Sequence, residues 1–229
     1  MIFGGFQKTD LINFPGYVAS TVFTRGCNFR CPYCHNPEFV IQGSDQTYFG
    51  ETYTEDEVLS YLQRRRGMLD GLVVSGGEPT LHQDLMAFIR KVKALGLKVK
   101  LDTNGSLPEV LRQLLDEGLL DYVAMDIKAP LEKYHLVGFT NTDAIRSSVA
   151  LLESSGVEHE YRTTCPKTIL RPEDFPQIAA IIGPSARWYL QTFNPSKTLD
   201  PAYSTESSYS EDELNQIIER YKLSNATVR

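Results

Sequence analysis

Three cysteines fall within eight residues, Cys27, Cys31 and Cys34, inside the string RGCNFRCPYCHNP from Arg25 to Pro37. Neighbours this close cannot all pair as disulfides, and thiolates held so near one another in a reducing compartment point to a metal, either zinc or an iron–sulfur cluster. A structural zinc takes four closed ligands, usually as two separated pairs, and this block supplies three. Cys165 lies far along the chain beside Pro166 and reads as a small buried apolar residue. His35, adjacent to Cys34, would complete a zinc tetrahedron only with backbone strain. A cubane cluster on three thiolates leaves one iron open to another ligand, whereas an electron-transfer cluster is usually closed by a fourth cysteine. The block therefore predicts a [4Fe–4S] cluster on Cys27, Cys31 and Cys34, with zinc and a closed electron-transfer centre as rival readings.

Further polar residues follow apolar runs of strand length. Gly76-Gly77-Glu78 follows GLVVS; Asp102-Thr103-Asn104-Gly105 follows the Leu97, Val99, Leu101 alternation; Asp126 and Lys128 follow Tyr122 to Met125. Arg162 and Thr164 lie near the end of a fifth run and Gln191 near the end of a sixth. Any one of these reads equally well as an ordinary polar turn. Five of them, with the cysteine block as a sixth, predict loops that converge on one pocket.

The elements that would position them alternate regularly. Val18 to Thr24 is β-branched and aromatic and reads as strand one; Thr54 to Arg65 opens on a Thr54, Glu57 capping-box pattern and reads as helix one. Gly71 to Ser75, the Leu97 run, Tyr122 to Met125, Val157 to Thr164 and Arg187 to Gln191 read as five further strands. Helices separate them: one carried by Leu81, Leu85, Phe88, Ile89, Val92 and Leu95, one by Val110, Leu111, Leu114 and Leu115, then Asp143 to Ser154 and Phe175 to Ile182. Right-handed crossovers make six such units curl one way. A closed eight-unit barrel needs roughly 250 residues, so the fold class predicted is α/β, a partial (β/α)6 TIM-like barrel of parallel strands. One domain over residues 1–229 is expected, with a core of about 16–195 and a C-terminal extension, 196–229, ending in a helix with Leu214, Ile217, Ile218 and Tyr221.

A net charge of −6 with scattered basic residues argues against nucleic-acid binding, and Arg64-Arg65-Arg66 reads as a solvated helix face. No apolar run approaches the roughly 20 residues needed to span a bilayer, and Met1-Ile2-Phe3-Gly4-Gly5 lacks the basic region of a targeting segment, so a cytoplasmic protein without membrane partners is expected.

Cys27-x-x-x-Cys31-x-x-Cys34 is the signature of the radical S-adenosylmethionine (SAM) superfamily, and RGCNFRCPYCHNP resembles its glycyl-radical-enzyme activating branch. Phe6-Gln7-Lys8, Phe14-Pro15-Gly16, GGEP at Gly76 to Pro79, DTNG at Asp102 to Gly105 and DIKAP at Asp126 to Pro130 are similar to anaerobic ribonucleoside-triphosphate reductase activating proteins. The resemblance runs from about Phe6 to Pro195. It implies that the open iron takes the amino nitrogen and carboxylate of SAM, that Gly76-Gly77-Glu78 holds the amino group through backbone carbonyls and the Glu78 carboxylate, and that Tyr33 lies by the adenine. It places Asp102, Thr103 and Asp126 around the SAM carboxylate and ribose, where related activases can hold a monovalent cation, with Lys128 pairing with the carboxylate and Gln191 near the ribose or adenine. Arg162 contacts SAM or the incoming glycine loop, or forms an ordinary ion pair. The implied reaction is reductive SAM cleavage and abstraction of a glycine Cα hydrogen on a partner enzyme, most directly the anaerobic reductase, with flavodoxin or ferredoxin as electron donor. Pyruvate formate-lyase, another glycyl radical enzyme, or a small molecule is the alternative substrate. Asn13 stands where this branch often has Asp, and no cysteine-rich insertion follows Cys34, which argues against additional ferredoxin-like clusters.

Overall fold

A computed structural model describes residues 1–40 and 51–229. Seven strands run parallel in one sheet: β2 (Ala19–Thr24), β4 (Gly71–Gly76), β5 (Lys98–Thr103), β6 (Tyr122–Asp126), β7 (Glu158–Cys165), β8 (Trp188–Thr192) and β9 (Ala226–Val228). Two antiparallel strands, β1 (Ile2–Asp10) and β3 (Tyr53–Thr54), extend the β2 edge in the order β3, β1, β2. The helices are α1 (Pro37–Val40), α2 (Glu55–Arg64), α3 (Leu85–Ala94), α4 (Pro108–Asp116), α5 (Thr142–Ser155), α6 (Phe175–Ile182) and α7 (Glu211–Tyr221). The sheet is the open, partial barrel that the alternation of elements predicts.

Six of the parallel strands match the sequence expectation closely. The seventh, β9, escapes it because three residues carry too little pattern; it pairs with β8 from Trp188↔Ala226 to Leu190↔Val228. β1 escapes it because Gly4 and Gly5 break its alternation, and hydrogen bonding to β2 supplies what propensity does not. The Thr54 capping box forms as expected: Thr54 Oγ1 accepts the Glu57 N–H, and the Glu57 carboxylate accepts the Thr54 N–H at 2.7 Å.

Period-two alternation sorts the side chains into two layers. Leu72, Val74, Val99, Leu101, Val123, Met125, Tyr161, Trp188 and Leu190 are fully buried against the helices, packing with Leu85, Phe88, Ile89, Leu114, Ile145 and Ile178. The opposite face of the same strands points into the barrel. Phe14, Ala19, Val73 and Tyr122 close its amino end as a separate apolar cluster. Toward the carboxyl ends that inner face turns polar, through Thr21, Ser75, Lys100, Asp102, Asp126, Arg162 and Gln191.

Candidate functional site

A cavity of about 290 Å³ opens at the carboxyl ends of β2 and β4 to β8. It is lined by Cys27, Cys31, Tyr33 and Cys34 from the loop after β2, and by Gly76, Gly77 and Glu78 from the end of β4. Asp102 and Thr103 of β5, Asp126 at the end of β6, Lys128 just beyond it, and Gln191 of β8 complete the set, so every residue that the sequence assigns to the cluster or to SAM reaches this cavity.

The cysteine loop is held from three sides. Arg30 N–H donates to the Val137 carbonyl at 2.7 Å, Gly26 N–H to the Phe39 carbonyl at 2.6 Å, and Glu78 N–H to the Gly26 carbonyl at 2.8 Å. Phe29 packs on Phe139 with ring centroids 4.6 Å apart. Cys27 Sγ accepts the Phe29 N–H at 3.4 Å and the Asn104 side-chain amide at 3.8 Å. Burial pushes the Cys27 thiol up to about 11 and the Cys31 thiol up to about 12, and raises Cys34 as well. Thiols in this environment ionise readily only against a positive centre.

Gly76 and Gly77 are required by the backbone itself. Gly76 has φ +118°, and a Cβ on Gly77 would collide with the Gly26 carbonyl oxygen, so this pair lets the end of β4 nest against the start of the cysteine loop. Glu78 is fully buried, and its carboxylate is already committed: Oε1 accepts the Thr80 hydroxyl at 2.6 Å, the Thr80 N–H at 3.1 Å and the Thr103 hydroxyl at 2.7 Å, while Oε2 accepts the Asn104 N–H at 2.6 Å. Burial raises its pKa in spite of these bonds. The side chain that the family resemblance directs at the SAM amino group thus ties the loop after β4 to the loop after β5.

The cavity floor is a chain of alternating charge. Lys100 Nζ donates to Asp102 Oδ1 at 2.5 Å, Arg162 Nη1 lies 3.3 Å from Asp102 Oδ2, Arg162 Nε donates to Asp126 Oδ1 at 2.9 Å, and Lys128 Nζ donates to Asp126 Oδ2 at 2.8 Å. Ser75 adds its hydroxyl to Asp102 Oδ2 at 3.0 Å. Burial works to raise both carboxyls, but Arg162 and Lys100 hold Asp102 below its ordinary value, and Arg162 and Lys128 bring Asp126 to about 2. Lys128 is raised despite burial, by Asp126 and by the nearby Cys31.

Arg162 is ion-paired to Asp102 and Asp126 and also lines the cavity, so its ion pairs leave it facing a ligand site. Lys100 carries no signal as one of the lysines alternating with apolar residues in this run, yet it lies two residues before Asp102 and therefore on the same strand face; that spacing is the clue to it. Asn104 contributes through both backbone and side chain. Asn13 lines the cavity, with its Nδ2 donating to buried Asp10 at 2.6 Å. Cys165 lies fully buried outside the cavity lining, its thiol donating to the Thr163 carbonyl at 3.2 Å.

Two observations test whether these residues suit a cluster and a nucleoside ligand. The three thiols border one cavity, and among the described residues no fourth cysteine lines it. Three thiolates suit a cubane cluster with one iron left open, whereas a structural zinc takes four closed ligands. The Tyr33 hydroxyl is buried beside the thiols with no hydrogen-bond partner among the described residues, a donor held ready for an incoming acceptor. The residues fit both groups.

The family profile of the radical SAM superfamily matches residues 21–173. A Methanocaldococcus jannaschii protein carried under the name glycyl-radical enzyme activating enzyme is 30% identical over 98% of this chain and 94% of its own length. The pyruvate formate-lyase-activating enzyme of Listeria monocytogenes is 32% identical over 60% of this chain and 57% of its own. Streptococcus suis SuiB, solved bound to S-adenosylmethionine, superposes with a TM-score of 0.66 at 13% identity, over 90% of this chain and 48% of its own. Among the described residues no helix is long and apolar enough to cross a membrane.

Proposed function

We propose, for a chain that belongs to the radical SAM superfamily, that it installs a glycyl radical on a partner enzyme, in the first place an anaerobic ribonucleoside-triphosphate reductase. Three thiols and a charged floor meeting in one cavity carry the reading. Nearly full-length similarity to a protein named as a glycyl-radical activating enzyme supports its direction.

Cys27, Cys31 and Cys34 would hold the [4Fe–4S] cluster. When bound, the cluster and SAM supply reductive cleavage of the sulfonium bond and a carbon radical able to take a glycine Cα hydrogen. The chain's own work is positioning and exclusion of water. Lys128 and Arg162 present positive charge to the SAM carboxylate, while their ion pairs with Asp126 and Asp102 lock their orientation before anything binds. The backbone at Gly76 and Gly77 approaches the amino group, with Glu78 fixing the loop. Tyr33 offers its hydroxyl near the adenine, and Gln191 approaches from β8. Phe29 N–H and the Asn104 amide face the Cys27 sulfur, where they would stabilise thiolate charge and tune the cluster.

A glycine is a fitting target because a residue without Cβ threads a narrow cavity. Residues 1–229 are read as one domain, acting with flavodoxin or ferredoxin as donor; the net charge of −6 speaks against nucleic acid as substrate. Activation of pyruvate formate-lyase is the second reading, favoured by the Listeria relative. The anaerobically reconstituted, reduced protein should generate a glycine-centred EPR doublet on the reductase in the presence of SAM. A doublet on pyruvate formate-lyase alone supports the second reading. No doublet on either, with 5′-deoxyadenosine released only alongside a small substrate, overturns both.

A further inference from the structure

Asp102, Thr103 and Asp126 are the residues that the resemblance places around the SAM carboxylate, where related activases can hold a monovalent cation, and in this chain all three are engaged by the chain itself. Asp102 takes Lys100 on Oδ1, and Ser75 and Arg162 on Oδ2. Asp126 takes Arg162 on Oδ1 and Lys128 on Oδ2. Thr103 Oγ1 donates to Glu78 at 2.7 Å and accepts the Gly105 N–H at 3.1 Å. Lys100 stands apart from the other two cations. Its side chain is 1% exposed, against 17% for Lys128 and 15% for Arg162, and its ammonium lies beneath Asp102, 5.7 Å from the centroid of the Tyr122 ring. Lys100, Arg162 and Lys128 against Asp102 and Asp126 give the floor one surplus positive charge, which a single carboxylate would neutralise.

We propose that Lys100 is a built-in counter-ion, whose ammonium does for Asp102 what a bound alkali metal would otherwise do, so that this site receives the SAM carboxylate without an added monovalent cation. The inference rests on the SAM site proposed above. Lys100 acts through Asp102 and Arg162 and is a positioning residue: with its charge present, Asp102 is satisfied and Arg162 is free to share its charge with the ligand; without it, Asp102 holds Arg162 more strongly, and the floor loses its surplus. An ammonium fixed on a strand is always present, whereas an alkali ion must be recruited from solvent at each binding event.

The test compares wild type, Lys100→Met and Lys100→Arg in potassium chloride and in choline chloride of equal ionic strength. SAM affinity of the reconstituted protein is measured by equilibrium dialysis, and melting of the cluster-free protein by circular dichroism. Wild type should bind SAM equally in both salts. Lys100→Met should bind about tenfold more weakly in choline, the effect of roughly one lost charge contact, and recover in potassium. Its cluster-free form should melt higher in potassium than in choline, a difference absent from wild type. Lys100→Arg keeps the charge and should behave like wild type, which separates loss of charge from failure to fold. A wild-type protein that loses SAM affinity in choline, or a folded Lys100→Met that is indifferent to the salt, overturns the inference. Absence of SAM binding in every salt would instead overturn the functional reading beneath it.

Discussion

The Glu78 carboxylate accepts the backbone N–H of Asn104 at 2.6 Å, and this one bond joins the loop after β4 to the loop after β5. Asn104 in turn donates its side-chain amide to Asn28 Oδ1 at 3.0 Å and to the Cys27 sulfur. A carboxylate without exposure to solvent is therefore two hydrogen bonds from Cys27, a proposed cluster ligand. Removing it leaves several buried donors unmatched, each costly in a dry interior.

Glu78→Ala should accordingly lose about 3 kcal/mol of stability in urea denaturation, the scale of a few unsatisfied buried groups. It should also retain less iron after reconstitution than wild type. A variant as stable as wild type would show that Glu78 meets a ligand rather than the loops.

Tyr33→Phe removes a buried hydroxyl that has no hydrogen-bond partner among the described residues. The cluster-free protein should gain about 1 kcal/mol, because an unmet desolvation cost disappears. The reconstituted variant should bind SAM more weakly than wild type if that hydroxyl serves the nucleoside. Unchanged stability together with unchanged affinity contradicts the role given to it.

Acid should weaken the fold through Asp126. Its carboxyl is held at about 2, below the ordinary 3.8, by Arg162 and Lys128 acting against burial. A depressed carboxyl stabilises the folded state above the unfolded pKa and loses that contribution as pH falls through the folded one. The fall in urea midpoint between pH 3.8 and about 2 should therefore be smaller in Asp126→Asn than in wild type. Equal pH profiles would remove Asp126 from the stabilising network.

Single Cys27→Ser, Cys31→Ser and Cys34→Ser variants should each lose the cluster's absorbance and iron while keeping wild-type far-ultraviolet circular dichroism. Cys165→Ala should keep full iron, because that thiol is sealed outside the cavity lining. Iron loss in Cys165→Ala would assign it a place in the cluster.

That these residues gather at one mouth is legible in sequence because period-two alternation and strand ends converge by geometry: with Asp102, Asp126 and Gln191 near the ends of their strands, a curled parallel sheet brings them together. What the sequence hid was which neighbour each group would choose. Glu78 and Thr103 are 25 residues apart and bond only because β4 and β5 are adjacent. Lys100 looked like one of several lysines on an amphipathic strand, although the residue two places on already faced the barrel. β9 was hidden for a different reason, since its pairing with β8 stabilises three residues that have no strand pattern of their own. The Gly76-Gly77 pair was readable as a loop, but its cause, the approach of the Gly26 carbonyl, is a tertiary contact.

Every assignment at this site depends on three thiolates holding a cluster with one iron open to SAM. The decisive measurement is EPR of the anaerobically reconstituted, dithionite-reduced protein, recorded with and without SAM. A [4Fe–4S]⁺ signal whose g-values shift on adding SAM is expected. A bound zinc, or a cluster signal indifferent to SAM, would overturn the assignment.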